Sequence, residues 1–317
     1  MNGLITPKAP LFRDPIYDGA ADPTTIWNRQ EKSWWILYTS RRANVDCQGF
    51  AWVHGSDIGI ASSRDGGRNW VYRGTLRGLE FENGRNTFWA PEVMWHDGIY
   101  HMYVSYIQGI VEDWSAERHI IHYTSKNLWD WQFESILPLS SDRVIDACVC
   151  QLPGGTWRLW YKDEVHSSYT YAADSADLFH WQEMGPVITD CPHEGPNVFY
   201  WQNRYWMITD PWNGFGVYTS SDCQKWARQK NILAGPGKRA DDTNHACHGD
   251  VLVAGEKAYV FYHVHPEKYR DDRGGMLASM PYSSRRSALQ VAELELDKGE
   301  LVCDRNKNFF LVLYMLN

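Results

Sequence analysis

One turn recurs four times along this 317-residue chain, and its spacing leaves few folds open. Its copies are Ser63-Arg-Asp65-Gly-Gly-Arg-Asn-Trp70, Ser125-Lys-Asn127-Leu-Trp-Asp-Trp131, Ser175-Ala-Asp177-Leu-Phe-His-Trp181 and Ser220-Ser-Asp222-Cys-Gln-Lys-Trp226. The Ser and the Asp or Asn bond their own backbone in a tight turn, and the Trp closes over the hairpin. A period of roughly 50 residues means stacked or radial units of several strands each. Between the turns, short runs alternate apolar and polar residues and end in Gly, Asn or Asp, the pattern of strands. No long segment keeps a helical period.

A second pattern runs in step with the first. Five segments read as one strand followed by an aromatic strand. They begin at Ala21-Asp22-Pro23, Trp89-Ala-Pro-Glu92, Ile145-Asp146-Ala147, His193-Glu194-Gly-Pro and His248-Gly-Asp250, and continue into Ser33 to Tyr38, Gly98 to Tyr103, Thr156 to Tyr161, Arg204 to Thr209 and Lys257 to Tyr262. Four strands in each of five units predict an all-β, five-bladed β-propeller. In a propeller the first strand of each blade surrounds the central axis, so Asp22, Asp146, Glu194 and His248 are expected to meet at the mouth of one funnel. The fifth blade is expected to join the C-terminal strands (288 to 296, 300 to 303 and 309 to 316) with the N-terminal segment. One domain spanning 1–317 is expected, since all-β folds often run long as single domains.

Composition narrows the partners. A net charge of −8 disfavours nucleic acid and anionic membranes. No apolar run approaches the length of a membrane-spanning helix. The first residues lack the apolar core of a signal peptide, which predicts a cytoplasmic protein, or an exported one whose leader has been removed. Seven cysteines without C-x-x-C spacing argue against zinc. Cys148, Cys150, Cys191 and Cys247 read as small thiols packed near the axis. The oligomeric state is not legible.

Three carboxylates at one funnel mouth suggest glycoside hydrolysis. That reaction needs one acid to protonate the leaving oxygen and one carboxylate to activate water or attack. A third carboxylate raises the acid's pKa by like-charge repulsion. The seventeen Trp and eighteen Tyr exceed what the repeated turn uses. Faces such as Trp89 and Trp212 suit sugar rings, and Glu92 is a further candidate for substrate contact. The loops from Asn44 to Ser56 and from Gln108 to Arg118 are candidates for narrowing the funnel into a pocket that removes one terminal sugar.

These motifs, in this order over residues 22 to 250, resemble the five-bladed propeller glycosidases of glycoside hydrolase family 43 and the related family 117. The resemblance implies Asp22 as general base, Asp146 as modulator of the acid, Glu194 as general acid, and inversion at the anomeric carbon. It implies arabinofuranose or xylose as the sugar, with 3,6-anhydro-L-galactose, the family 117 substrate, as the runner-up. It also implies that His248 helps hold a calcium ion at the axis through water, with no cofactor required for the chemistry itself. In some family 117 enzymes, which release 3,6-anhydro-L-galactose from agar oligosaccharides, a His like His193 is the acid; His193 is therefore the alternative donor. Neighbours in a strand point to opposite faces, so His193 and Glu194 both reach the site only if the strand is distorted there. Two rivals stand beside hydrolysis. A propeller phosphorylase would need a basic phosphate pocket, and a carbohydrate-binding propeller would need no aligned acids.

Overall fold

The computed structural model describes residues 6–267, 280–311 and 313. Five antiparallel four-stranded sheets follow one another along the chain. Blade one holds β1 (Ala20–Asn28), β2 (Ser33–Ser40), β3 (Asp57–Ser63) and β4 (Val71–Thr75). Blade two holds β5 (Thr87–His96), β6 (Ile99–Ile107), β7 (His119–Ser125) and β8 (Trp131–Ile136). Blade three holds β9 (Val144–Gln151), β10 (Trp157–Asp163), β11 (Tyr169–Ser175) and β12 (Gln182–Ile188). Blade four holds β13 (Glu194–Trp201), β14 (Arg204–Asp210), β15 (Phe215–Ser220) and β16 (Ala227–Ile232). Blade five holds β17 (Cys247–Ala254), β18 (Lys257–Val264), β19 (Ala288–Asp297) and β20 (Glu300–Val302), with a single helical turn, α1 (Tyr282–Arg285), before β19. The first strands pack in a closed ring, β1 to β5 to β9 to β13 to β17 and back to β1. The expected propeller is the observed fold.

Burial follows strand position. The second strands are apolar on both faces, as in Ser-Trp-Trp-Ile-Leu-Tyr-Thr-Ser of β2, where every residue is buried. The outermost strands carry charge, as in Ala-Arg-Gln-Lys-Asn-Ile of β16, which is largely exposed. The core is therefore not one mass but a series of layers between blades. Trp35, Met102 and Tyr123 fill the first interface, and Tyr103, Leu159 and Trp181 the second. Trp160, Met207 and Tyr218 fill the third, Trp206, Val260 and Tyr262 the fourth, and Tyr38, Phe261 and Leu289 the fifth. The repeated turn works as its residues predict: Asp177 Oδ1 accepts the N–H groups of Phe179 and His180, Ser175 Oγ accepts that of Leu178, and Trp181 is buried edge-on against Tyr103 of the preceding blade.

Ring closure differs from expectation in one element. β20 covers only the last part of β19, from Glu295 to Asp297. The N-terminal segment covers its start, through a bridge from Phe12 to Leu289. Among the described residues, 309 to 316 form no strand. Phe309, Leu311 and Leu313 instead lie in the core layer between blades five and one, with Leu11 and Phe12. Their apolar run reflects burial as irregular chain, which hydrophobicity alone does not separate from a strand. All seven cysteines are free, and Cys148, Cys223 and Cys247 are buried.

Candidate active site

The funnel mouth is built by one backbone irregularity used five times. Each first strand bulges near its start, losing register with its neighbour between Ala21 and Thr24, Trp89 and Glu92, Ile145 and Cys148, Glu194 and Asn197, and Cys247 and Gly249. The residue at each bulge has a positive φ: Asp22 (48°), Ala90 (45°), Asp146 (62°), Gly195 (55°) and His248 (36°). Left-handed backbone costs a non-glycine residue about 1–2 kcal/mol. Bulges turn side chains out of the pleat, and here they face the axis.

Each bulge N–H is held from outside its own strand. Ala90 donates to Thr39 Oγ1 (2.9 Å), Asp146 to Ser105 Oγ (3.0 Å), His248 to Asp210 Oδ2 (2.9 Å) and Asp22 to His263 Nδ1 (3.2 Å). Each of these acceptors sits at the same register on the second strand of the preceding blade. Gly195 is the exception, since Lys162 occupies that register on β10; its N–H goes instead to Asp146 Oδ2 (3.0 Å). Two residues deeper lies a second belt. The backbone N–H groups of Val149, Val198, Val251 and Thr25 donate to Glu92, Cys148, Asn197 and Asp250.

The first belt opens into a cavity of about 420 Å³ lined by Asp22, Asp146, Glu194 and His248 together with Arg41, Lys162 and Glu164. Trp52, Trp89, Trp114 and Trp212 form its aromatic walls, with Val53 beside them. The two candidate loops supply Trp52, Val53 and Trp114, and Phe50 N–H bonds Glu112 C=O to join them. Trp89 steadies the same loop by donating Nε1–H to Val53 C=O (2.7 Å).

Charge alternates across the site. Arg41 Nη2 donates to both oxygens of Asp22 (2.9 Å each). His248 Nδ1 lies 3.7 Å from Asp22 and 4.0 Å from Asp146. Burial favours neutral imidazole, but Asp146 and Asp22, with Glu194 and Asp210 behind them, outweigh it and raise the His248 pKa. Burial pushes the Asp146 carboxyl up to about 6; His248 pulls it down while Glu194 adds to the rise. Asp210 reaches about 7 by burial and the nearby Glu194. Glu194 goes the other way. Burial raises it, but Lys162 Nζ at 3.1 Å, then His248 and Arg41, bring it below the ordinary range.

The sequence-predicted residues divide clearly. Asp22, Asp146, Glu194, His248, Trp89 and Trp212 line the cavity. Glu92, expected at the substrate, does not. It stands two residues past the bulge, faces the deeper axis and accepts the Val149 N–H (2.9 Å); burial and Asp250 raise it to about 8. His193, the alternative acid, is fully buried outside the cavity. Its Nδ1 meets Cys191 C=O and its Nε2 meets Thr170 Oγ1. Strand alternation sends Glu194 inward and His193 outward. Arg41, Lys162, Glu164 and Asp210 were not singled out from sequence. Their signal was positional: Lys162 and Asp210 end the second strands at one common repeat register.

Calcium takes oxygen ligands. The axis offers Glu92, Asn197 and Asp250 below His248, and burial, with Asp250 adding to it, raises the Glu92 carboxyl there. Those groups suit a hard cation, but among the described residues they do not converge as a direct cage. The trio that does converge, Asp190, Cys191 and His193, has both imidazole nitrogens engaged as above, and Asp190 is bonded by Tyr218 and Arg228.

No protein-family model and no curated protein matches the sequence. Solved structures do share the fold. A thermostable family-43 glycoside hydrolase superposes with a TM-score of 0.67 at 17% identity, covering 94% of this chain and 98% of that one. A family-43 β-xylosidase/α-arabinofuranosidase from a compost microbial metagenome, solved with xylotriose in a calcium-free form, gives 0.65 at 14%, over 95% and 97%. An exo-1,5-α-L-arabinanase from a bovine ruminal metagenomic library gives 0.58 at 15%, over 92% and 99%. The fold is thus that of the family-43 propellers.

Gly195 is the tightest point of the first belt. A methyl group there would meet His248 Nδ1 at 3.0 Å, on backbone with φ +55°. Gly195→Ala is expected to displace His248 and Glu194 and to lower kcat/KM about a hundredfold, with melting still cooperative. Steady-state kinetics beside a thermal melt checks this.

Proposed function

We propose that this protein is a glycoside hydrolase that removes a terminal sugar from an oligo- or polysaccharide with inversion of anomeric configuration. The observation that carries the reading is the gathering of Asp22, Asp146 and Glu194 on one aromatic-walled cavity. Structural neighbours of family 43 include xylosidases and an arabinanase, which favours a pentose of the arabinofuranose or xylose type. The walls suit it: apolar C–H faces pack on Trp52, Trp89, Trp114 and Trp212, while hydroxyls meet the charged floor. A funnel of this size takes a terminal sugar ring, with the leaving group toward the open rim.

In this reading Glu194 protonates the leaving oxygen. Asp22, oriented by Arg41, takes a proton from the attacking water. Asp146, tied to Gly195 N–H, takes the repulsion between the two carboxyls as a rise in its own pKa. His248 balances the carboxylates. A calcium ion at the axis would be held through water by His248 and the oxygens of Glu92, Asn197 and Asp250, and would supply positive charge that fixes the inner strands rather than a reacting group. One observation favours a second reading, a carbohydrate-binding propeller: the Lys162 ammonium opposes protonation of Glu194. Binding of oligosaccharide without turnover would decide for it.

Asp22→Asn is expected to lower turnover about a hundredfold or more, the usual cost of losing a general base. Glu194→Ala is expected to abolish cleavage of natural glycosides while sparing aryl glycosides with good leaving groups. An unchanged rate in either variant on xylo- or arabino-oligosaccharides removes that residue's role.

Proton NMR early in hydrolysis is expected to show the product first in the opposite anomeric form. Inversion needs carboxyls about 6.5–9.5 Å apart to admit water; retention would make one carboxylate a nucleophile.

Chelation is expected to lower the melting temperature, and His248→Ala to abolish that response. Elemental analysis of the purified protein gives an independent count of bound calcium.

A further inference from the structure

Four blades use one common register near the end of their second strand in the same way, and the third does not. Thr39, Ser105, Asp210 and His263 each accept the N–H of the next blade's bulge residue. Lys162 stands at that register on β10, opposite Ile145. An ammonium has donors and no acceptor, so it cannot hold the Gly195 N–H. The scaffold compensates by using Asp146 Oδ2 for that bond. A buried lysine that gives up a structural bond needs another account.

Its contacts supply one. Lys162 Nζ donates to Glu194 Oε2 (3.1 Å) and to Glu164 Oε1 (2.9 Å). Glu164 is held in turn by Arg118 Nε (2.9 Å). The Lys162 side chain is 5% exposed and lies 5.4 Å from the Trp212 ring centroid. The result is a chain of alternating charges, Arg118, Glu164, Lys162, Glu194, that ends on the cavity wall. One oxygen of Glu194 is taken by the ammonium, which leaves the other for a proton and a leaving group. Glu164 draws part of the ammonium's charge away from Glu194.

We propose that Lys162 is a positioning residue that clamps one oxygen of Glu194, aims the other at the leaving group, and sets, in balance with Glu164, the pH above which the acid is spent. This rests on the reading of Glu194 as general acid. Groups facing Glu194 from the neighbouring elements are Lys162, His248, Arg41, Asp146, Asp210 and His193. Of these cations, Lys162 bonds Glu194 directly. The sign follows: a cation at bonding distance favours the carboxylate, so the alkaline limb of kcat/KM lies low in the native protein and rises when the cation goes.

The test uses pH profiles with an aryl xyloside or arabinofuranoside and a natural oligosaccharide. Lys162→Met is expected to move the alkaline limb up by about one to three pH units, the range for an adjacent opposite charge. Lys162→Arg keeps the charge and is expected to keep the limb near its native position. Glu164→Gln removes the competing acceptor and is expected to move it down. A limb that stays put in Lys162→Met, or moves the same way in Lys162→Met and Glu164→Gln, overturns the proposal. If Lys162→Met fails to fold by thermal melt, the Arg and Gln variants decide. A second readout needs no turnover. Carboxyl carbon NMR of glutamate-labelled protein, with the Glu194 signal assigned by its loss in Glu194→Gln, is expected to titrate higher without Lys162. Titration that follows this pattern in a protein that cleaves no glycoside supports the clamp and sinks the hydrolase reading instead. A Glu194 signal indifferent to Lys162 sinks the clamp.

Discussion

The molecule depends on a left-handed residue near the start of every first strand, held from outside its own strand. A non-glycine residue in that conformation costs about 1–2 kcal/mol, and a hydrogen bond returns about 0.5–1.5 kcal/mol net. The two nearly cancel. What remains is geometry: Asp22, Asp146 and His248 are turned toward the axis, and no ordinary pleat would point them there. The belt below repeats the device with side chains as acceptors for backbone donors of the following blade. Together they make the ring a set of crosslinks and not only a stack of apolar layers.

Gathering carboxylates in an enclosed space would fail without opposing charge. Burying unpaired ions is costly, and the site answers with Arg41 on Asp22, Lys162 on Glu194 and His248 between Asp22 and Asp146. The consequence is visible in the titration behaviour. Asp146 and Asp210, without a direct cation bond, rise to about 6 and 7, while Glu194 with its cation falls. Protonation thus sorts by partner, not by burial alone, since all three carboxyls are enclosed.

Much of this was legible in the chain. The Ser-x-Asp turn with its Trp gave the period, and the residues at the strand heads gave the cavity floor. What escaped had physical reasons. Arg41, Lys162 and Asp210 lie at or just past the ends of second strands, where charges look like the start of a loop. Only the register of the folded sheet shows that Lys162 and Asp210 are equivalent, with Thr39 at that place in the first blade. Glu92 was a candidate for substrate contact, but Ala90 occupies the bulge position that Asp22 holds in blade one, so the acid two residues on lies deeper along the axis. His193 was a candidate through the family 117 resemblance, and alternation sends it behind Glu194. The run from Phe309 has the composition of a strand, yet its described residues form none.

Because the upper anchors cross the boundary between blades, no blade owns its share of the site. Asp22 is presented by β1 yet fixed by His263 of β18, and His248 is presented by β17 yet fixed by Asp210 of β14. The heritable unit of such a pocket is the junction between neighbours, not the repeat. A chimaera spliced at a loop between blades would keep each sheet intact and still separate the group presented at that seam from its backbone anchor. Divergence in a ring of this kind is therefore expected to proceed by paired change across seams, even where the blades themselves remain interchangeable in outline.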